Sequence, residues 1–322
     1  MNFLLSANNN YILPLVVCIT SILENHKNEE TDIYILQNDF TEENKNLLKI
    51  LFKKYNKNIF LIDVAEHYYD NVPILRWSKE TYYRLLFNEL LPTNLDRILY
   101  LDCDIIVDKN IKDFYYLNLN SYCLGAFPYS SSNFRELIGL KSGGDYFQAG
   151  VILFDLNKSR YVIGYEKSLE IIKKIGSNLI SVDQDVINVA FDGKIKTIKE
   201  KYNNYHITNF NAKNLNRIFN YTNKKEIDHT SIFHYATGKP WNNLFSGSCE
   251  DIWYKYLLLS PYSYLYKEKF GRLKYKILRS GLIKYFLFLY IHITPFIDNF
   301  FKVLLPKKIF FHLKSFYRKN IK

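Results

Sequence analysis

The sequence predicts an α/β protein, a mainly parallel mixed sheet with helices on both faces, followed by a basic helical tail. Three observations predict it. Over the first hundred residues short apolar runs alternate with helix-like segments, the order from which parallel sheets are built. Residues 98–107, Ile-Leu-Tyr-Leu-Asp102-Cys103-Asp104-Ile-Ile-Val, place two carboxylates inside an otherwise apolar run. Charge also divides the chain: of 43 Lys and Arg against 32 Asp and Glu, residues 255–322 hold 15 basic and 2 acidic side chains (Glu268, Asp298), leaving 28 basic and 30 acidic for residues 1–254. The net charge of +11 is therefore a property of the tail. One domain of about 250 residues plus an appendage is the natural partition, here 1–260 and 261–322.

Taken in order, Phe3 to Ala7 is a strand candidate, and Asn8-Asn9-Asn10 leads into a helix with Leu15, Cys18, Ile19 and Ile22 on one face and Pro14 in its first turn. Ile33 to Leu36 is a second strand, Thr41 caps a helix to about Tyr55, and Ile59 to Val64 is a third strand. A helix over Thr81 to Leu91 precedes the strand Arg97 to Val107 with its acidic pair. In such sheets ligands collect at the carboxyl ends of strands, where Asn8 to Asn10 and Asp102 to Asp104 would lie. Further on, Phe147 to Leu156 reads as a buried strand, in which Ala149-Gly150 would let a ligand approach the backbone.

In a strand, Asp102 and Asp104 would share a face and Cys103 would point the other way. Ionised carboxylates beside a core want a cation, and hard oxygen ligands suit Mg²⁺ or Mn²⁺; the plain alternative is a strand end turning into solvent. Ser181-Val-Asp183-Gln184-Asp185 opens a helix, and here Ser181 as N-cap with Gln184 at N3 would make a capping box. His234 beside a strand is ordinarily a satisfied structural group, but it is followed by Gly238-Lys239-Pro240-Trp241, where a backbone N–H and an ammonium suit a phosphate. No Walker loop is present in the sequence.

These clusters together resemble glycosyltransferase family eight, which includes bacterial lipopolysaccharide galactosyl- and glucosyltransferases and, more distantly, glycogenin. The matching motifs run in the family's order from about residue 2 to 260: Ala7-Asn8-Asn9-Asn10-Tyr11, Tyr82-Tyr83-Arg84-Leu85, Tyr100-Leu101-Asp102-Cys103-Asp104, Phe147-Gln148-Ala149-Gly150-Val151, Asp183-Gln184-Asp185, and His234-Tyr235 with Gly238-Lys239-Pro240-Trp241. The resemblance implies a GT-A, Rossmann-like fold and a retaining transfer of galactose or glucose from UDP-galactose or UDP-glucose to a glycan or glycolipid acceptor. It implies Mn²⁺ held by Asp102, Asp104 and His234; the imidazole favours Mn²⁺, while Mg²⁺ remains compatible. Donor contacts would come from Ala7, Asn8, Asn9 and Tyr11 around uracil, from Arg84, Gly238 and Lys239 toward the diphosphate, and from the Asp102-Cys103-Asp104 segment. Gln148, Ala149, Asp183 and Gln184 would face the sugar. Gln184 would position it or stabilise an oxocarbenium-like state, and Asp183 would take a sugar hydroxyl.

The sequence departs from the family pattern in three places. Asn8 and Asn9 stand where an Asp is frequent, so the acceptor for uracil N3–H would be an amide oxygen. Gln148 replaces an Asn, and Gly125 to Tyr129 lacks an acid that some galactosyltransferases carry. Two rival classes share features with this chain: a haloacid-dehalogenase-like phosphatase, with Asp-x-Asp at a strand end, and a catalytically inactive, membrane-attached sugar-binding relative.

The four cysteines have no C-x-x-C spacing and the N-terminus has no basic, apolar leader, which reads as a cytoplasmic protein. In the tail, Lys269, Arg272, Lys276 and Arg279 share a helical face, and Tyr285 to Ile297 is too short to span a bilayer. This reads as an interfacial helix on an anionic membrane surface, at the inner face of a bacterial cell membrane. A nucleic-acid-binding tail is the disfavoured rival, and an oligomerising helix the plain alternative.

Overall fold

The computed structural model describes residues 1–129, 133–141, 143–205, 222–241 and 249–265. Its contacts divide the chain into two units: Met1–Asn204 with Thr230–His234, and the remainder. The first unit holds a seven-stranded sheet with the order β3-β2-β1-β4-β7-β6-β8. Its strands are β1 (Asn2–Ser6), β2 (Asp32–Gln37), β3 (Asn58–Asp63), β4 (Arg97–Leu101), β6 (Leu124–Tyr129), β7 (Tyr146–Asp155) and β8 (Ile195–Thr197). The left half, β3-β2-β1-β4, is parallel throughout. β7 runs antiparallel to both β4 and β6, and β6 pairs parallel with β8. A separate two-stranded ribbon joins β5 (Ile105–Val107) to β9 (Ile232–His234), with Ile105 opposite His234.

The helices follow from their sequences. In α1 (Ile12–Asn25) every residue from Pro14 to Leu23 is buried, because the ribbon covers the side that a surface helix would expose: Ser21 Oγ accepts from Val107 N–H at 2.9 Å, and Asn25 Nδ2 donates to Val107 O at 2.8 Å. In α2 (Glu42–Tyr55) only Leu48, Leu51 and Phe52 are buried, and Thr41 caps it by accepting from Asn44 N–H. Four short turns follow, α3 (Phe87–Leu90), α4 (Lys112–Tyr115), α5 (Asn133–Leu137) and α6 (Leu156–Ser159), then α7 (Tyr165–Ile175) and α8 (Val182–Ala190).

Two expected elements differ. The stretch expected as a helix from Thr81 to Leu91 is a 3₁₀ run, Lys79–Leu85, leading into α3; Tyr82, Tyr83 and Arg84 are all buried there, and tertiary burial has overridden helical spacing. The strand expected over Arg97 to Val107 is broken at Asp102–Asp104, with β4 before and β5 after. The carboxylates therefore converge across a turn and do not share one face of a strand.

In the second unit the loop that starts at Tyr235 packs on the helix Glu250–Leu259. Tyr254 Oη donates to Pro240 O at 2.9 Å, Tyr235 Oη to Cys249 O at 2.6 Å, and the Trp241 and Trp253 rings lie 5.7 Å apart. The basic face around Lys269 to Arg279 and the apolar stretch Tyr285 to Ile297 lie outside the described residues. Among the described residues no helix is long and apolar enough to cross a membrane.

Candidate functional site

Parallel pairing of β1 with β4 brings the ends of both strands to one edge of the sheet, as expected for an α/β ligand site. After β1, Ala7 is buried and its N–H reaches Leu36 O at 3.1 Å. Asn8 Nδ2 donates to the buried Glu80 at 3.1 Å, and Asn8 Oδ1 is buried with no hydrogen-bond partner. Asn9 is spent on structure: its Oδ1 accepts from Asn44 Nδ2 at 2.7 Å and from Thr41 N–H. Of the two amides expected near a base, Asn8 is thus the one with an uncommitted acceptor. Tyr11 is 41% exposed.

At the β4 edge, Asp102, Asp104 and His234 each place one ligand atom within 4.8 Å of the others. His234 Nε2 is 3.3 Å from Asp104 Oδ1 and 3.8 Å from Asp102 Oδ2. Asp102 divides its two oxygens: Oδ1 accepts from Arg84 Nη2 at 2.8 Å and from Tyr100 Oη at 2.9 Å, which leaves Oδ2 turned to the histidine. Gly150 makes the convergence possible. A Cβ there would stand 2.3 Å from His234 Cε1 and 2.8 Å from Asp102 Oδ2. The small residue expected to admit a ligand instead admits these two side chains. Two carboxylates and an imidazole in a cleared space are a fitting donor set for a borderline-hard divalent ion. Cys103 is buried, and its thiol donates to Ser6 O at 3.2 Å; burial first, then Cys18 and the flanking carboxylates, push its pKa well up.

Arg84 ties this cluster to α8. Its guanidinium is buried, paired with Asp102 and, through Nε, with Asp183 Oδ2 at 3.0 Å, and it lies 4.1 Å over the Tyr100 ring. It also donates to the Ala149 and Thr81 carbonyls. Burial alone would lower its pKa, but Asp102 and Asp183 outweigh it and hold the charge firmly. One guanidinium shared between two carboxylates leaves the deeper one under-compensated. Burial, with Asp102 close by, raises Asp183 to about 7 against the pull of Arg84.

The capping box expected at Ser181 is absent. Ser181 makes no side-chain cap; the buried Asp185 does that work, its Oδ2 accepting from Ile180 N–H at 2.7 Å and Ser181 N–H at 2.8 Å. Val182, with φ of 41°, starts the helix in a conformation rare for a β-branched residue. Gln184 is thereby free to reach β7, where its Oε1 accepts from Ala149 N–H at 3.0 Å while Nε2 donates to Tyr146 Oη at 3.2 Å. Tyr146 donates in turn to Asp185. Both backbone polar groups of Ala149 are therefore engaged by site side chains.

Gln148 Oε1 accepts from Asn203 Nδ2 at 2.9 Å, and Asn203 Oδ1 faces His234 Nδ1 at 2.8 Å. Asn203 lies in no motif and was not legible as a site residue. Gly238 and Lys239 belong to the second unit, where Lys239 Nζ donates to Tyr235 O at 3.0 Å and lies 5.8 Å from the Trp241 ring.

Comparison with known proteins gives the family and the fold. A Haemophilus influenzae relative is 29% identical over 210 residues, 63% of each chain, so the match spans under two thirds of that protein's length. A lipopolysaccharide 1,2-glucosyltransferase of Escherichia coli is 28% identical over 72% of this chain and 70% of its own. The galactosyltransferase LgtC, solved with donor and acceptor sugar analogues, superimposes with a TM-score of 0.69 at 24% identity, covering 81% of this chain and 96% of that one; the likeness gives the GT-A fold. Neither the phosphatase nor the inactive-relative reading gains support from these matches. The description of glycosyl transferase family 8 matches residues 2–244, and the chain belongs to that family.

Proposed function

We propose that the protein is a metal-dependent, retaining hexosyltransferase that moves galactose or glucose from a UDP-sugar to a saccharide acceptor of the lipopolysaccharide or another surface-glycan class. The observation that carries this reading is the convergence of Asp102, Asp104 and His234 within 4.8 Å, linked through Arg84 to Asp183, in a chain of this family. A divalent cation, Mn²⁺ by its ligand chemistry, would neutralise charge on the departing diphosphate. Asp102 Oδ2, Asp104 and His234 Nε2 would hold it. Asn8 Oδ1 would accept from uracil N3–H and Tyr11 would stack on the base; Lys239 and Gly238 would receive the phosphates.

At the sugar, Asp183 would accept from a hydroxyl, its buried carboxylate being held in place by Arg84 Nε at 3.0 Å. Gln184 would act by position and dipole. Its amide oxygen already accepts from Ala149 N–H, which argues against a nucleophilic role. In the front-face course, the anomeric C–O bond to UDP breaks, the acceptor oxygen bonds to the same face, and its proton passes to the leaving phosphate oxygen. The basic tail would hold the enzyme on anionic lipid at the cytoplasmic face, near a lipid-linked acceptor. The test is a donor screen by released UDP, with UDP-galactose and UDP-glucose, with and without Mn²⁺. Turnover of neither donor in the presence of Mn²⁺, alone or with truncated lipopolysaccharide, would overturn the assignment.

A further inference from the structure

We propose that Asn203 is the positioning residue that fixes His234 as the Nδ1–H tautomer, presenting its Nε2 lone pair to the space shared with Asp102 and Asp104, and that Gln148 fixes Asn203 in turn. The proposal rests on the reading of that space as a divalent-cation site. All three side chains are sealed from solvent, with residue exposures of 7% for Gln148, 0% for Asn203 and 4% for His234.

An amide has one donor end and one acceptor end. Asn203 Nδ2 donates to Gln148 Oε1 at 2.9 Å, so the acceptor end is the one that meets His234 Nδ1 at 2.8 Å. An acceptor at that distance requires a proton on Nδ1, and a neutral imidazole then carries its lone pair on Nε2. Nε2 is the nitrogen 3.3 Å from Asp104 Oδ1. The flipped amide would offer its NH₂ to Nδ1, move the ring proton to Nε2 and aim an N–H at two carboxylates, closing the space to a cation.

The backbone holds Asn203 to this task. Its N–H reaches Glu200 O at 2.9 Å, and the next residue is laced to β9 by Asn204 N–H to Ile232 O at 3.0 Å and by His234 N–H to Asn204 O at 3.4 Å. Gln148, the departure from the Asn of resembling sequences, thus has an office: its longer side chain reaches Asn203.

The test is Mn²⁺ affinity, read from the free-ion EPR signal, for the full chain and its variants, with thermal unfolding in the absence of metal as the check on folding. Asn203→Leu should weaken Mn²⁺ binding about 10- to 100-fold, the usual consequence of losing the group that orients a ligating histidine. Asn203→Asp, whose carboxylate still accepts from Nδ1–H, should restore affinity to within about threefold of wild type. In a His234→Ala background, Asn203→Leu should cost nothing further, because Asn203 acts only through the ring. Should Asn203→Leu fail to fold, Gln148→Leu carries the same expectation at about 3- to 10-fold. Equal losses in the Leu and Asp variants, wild-type affinity in Asn203→Leu, or a further loss without His234 would each overturn the proposal. A wild-type chain that binds no Mn²⁺ would overturn the cation reading as well, whereas wild-type binding with an unaffected Asn203→Leu overturns this proposal alone.

Discussion

Gly150→Ala is the smallest change that should disable the site. The added methyl carbon would sit 2.3 Å from His234 Cε1 and 2.8 Å from Asp102 Oδ2. Carbon atoms in contact prefer about 3.5–4.0 Å, so the ring must retreat by roughly 1.2 Å. Neither neighbour has slack: His234 is buried and bonded to Asn203, and Asp102 is anchored through Oδ1 to Arg84 and Tyr100. Overpacking of this kind costs about 1–3 kcal/mol of stability, and a misplacement of about 1 Å at reacting groups costs about 100-fold in rate. The assays are thermal unfolding, Mn²⁺ binding by EPR and UDP release. Gly125→Ala is the control, since its Cβ would meet the side chains of Ile198 and Leu119 at 3.1 and 3.2 Å, away from the carboxylates; it should lose a little stability and keep its Mn²⁺ affinity. A Gly150→Ala enzyme with wild-type Mn²⁺ affinity and turnover would refute the reasoning.

Asp102→Asn, Asp104→Asn and His234→Ala should each abolish Mn²⁺-dependent transfer while the far-ultraviolet circular dichroism stays native; wild-type turnover in any of them would dismiss that residue as a ligand. Arg84→Met leaves Asp102 and the buried Asp183 without their shared partner and should cost about 3–5 kcal/mol in denaturant unfolding, against little change if the pair were solvated. The pKa of Asp183, raised from 3.8 to about 7, gives a signed pH effect in the metal-free protein. Between those values the native state keeps a proton that the unfolded chain has released, so stability falls as pH rises, by at most about 1.4 kcal/mol per pH unit; Asp183→Asn should flatten that slope, and an unchanged slope would assign it to another group. Replacing Lys269, Arg272, Lys276 and Arg279 with Glu should abolish flotation with anionic vesicles and leave UDP-sugar hydrolysis intact, and equal flotation of both proteins would deprive the tail of its lipid role.

What was legible in the sequence was whatever burial imposes as a pattern. Leu15, Cys18, Ile19 and Ile22 announce α1, Thr41 announces the start of α2, and the apolar runs give β1, β2, β3 and β7 to within a residue or two. Strand direction was not legible, because a strand buried on both faces, as β7 is, has the same composition whether parallel or antiparallel. The break at Asp102–Asp104 was hidden by the apolar residues on either side. The box at Ser181 failed since a competing acceptor, Asp185, lies four residues on and folds back onto the Ser181 amide. Asp102, Asp104 and His234 were recoverable from motifs, whereas Asn203 is joined to them only by the third dimension, through a hydrogen bond spanning 31 residues.

Val182 carries a different consequence, for the way this protein can change. A β-branched residue at φ of 41° stores about 1–3 kcal/mol of backbone strain, held in place by its burial and by the hydrogen bonds that the Ile180 and Ser181 N–H groups donate to Asp185. Val182→Gly or Val182→Asn would relax that turn, so a search for heat-tolerant variants should be drawn to this position. Such variants would let the first turn of the helix wander, and with it the aim of Asp183 and Gln184. Tolerance to heat and catalytic competence are therefore set against each other at one backbone torsion, and lineages of this chain that adapt to warmth should gain their stability elsewhere.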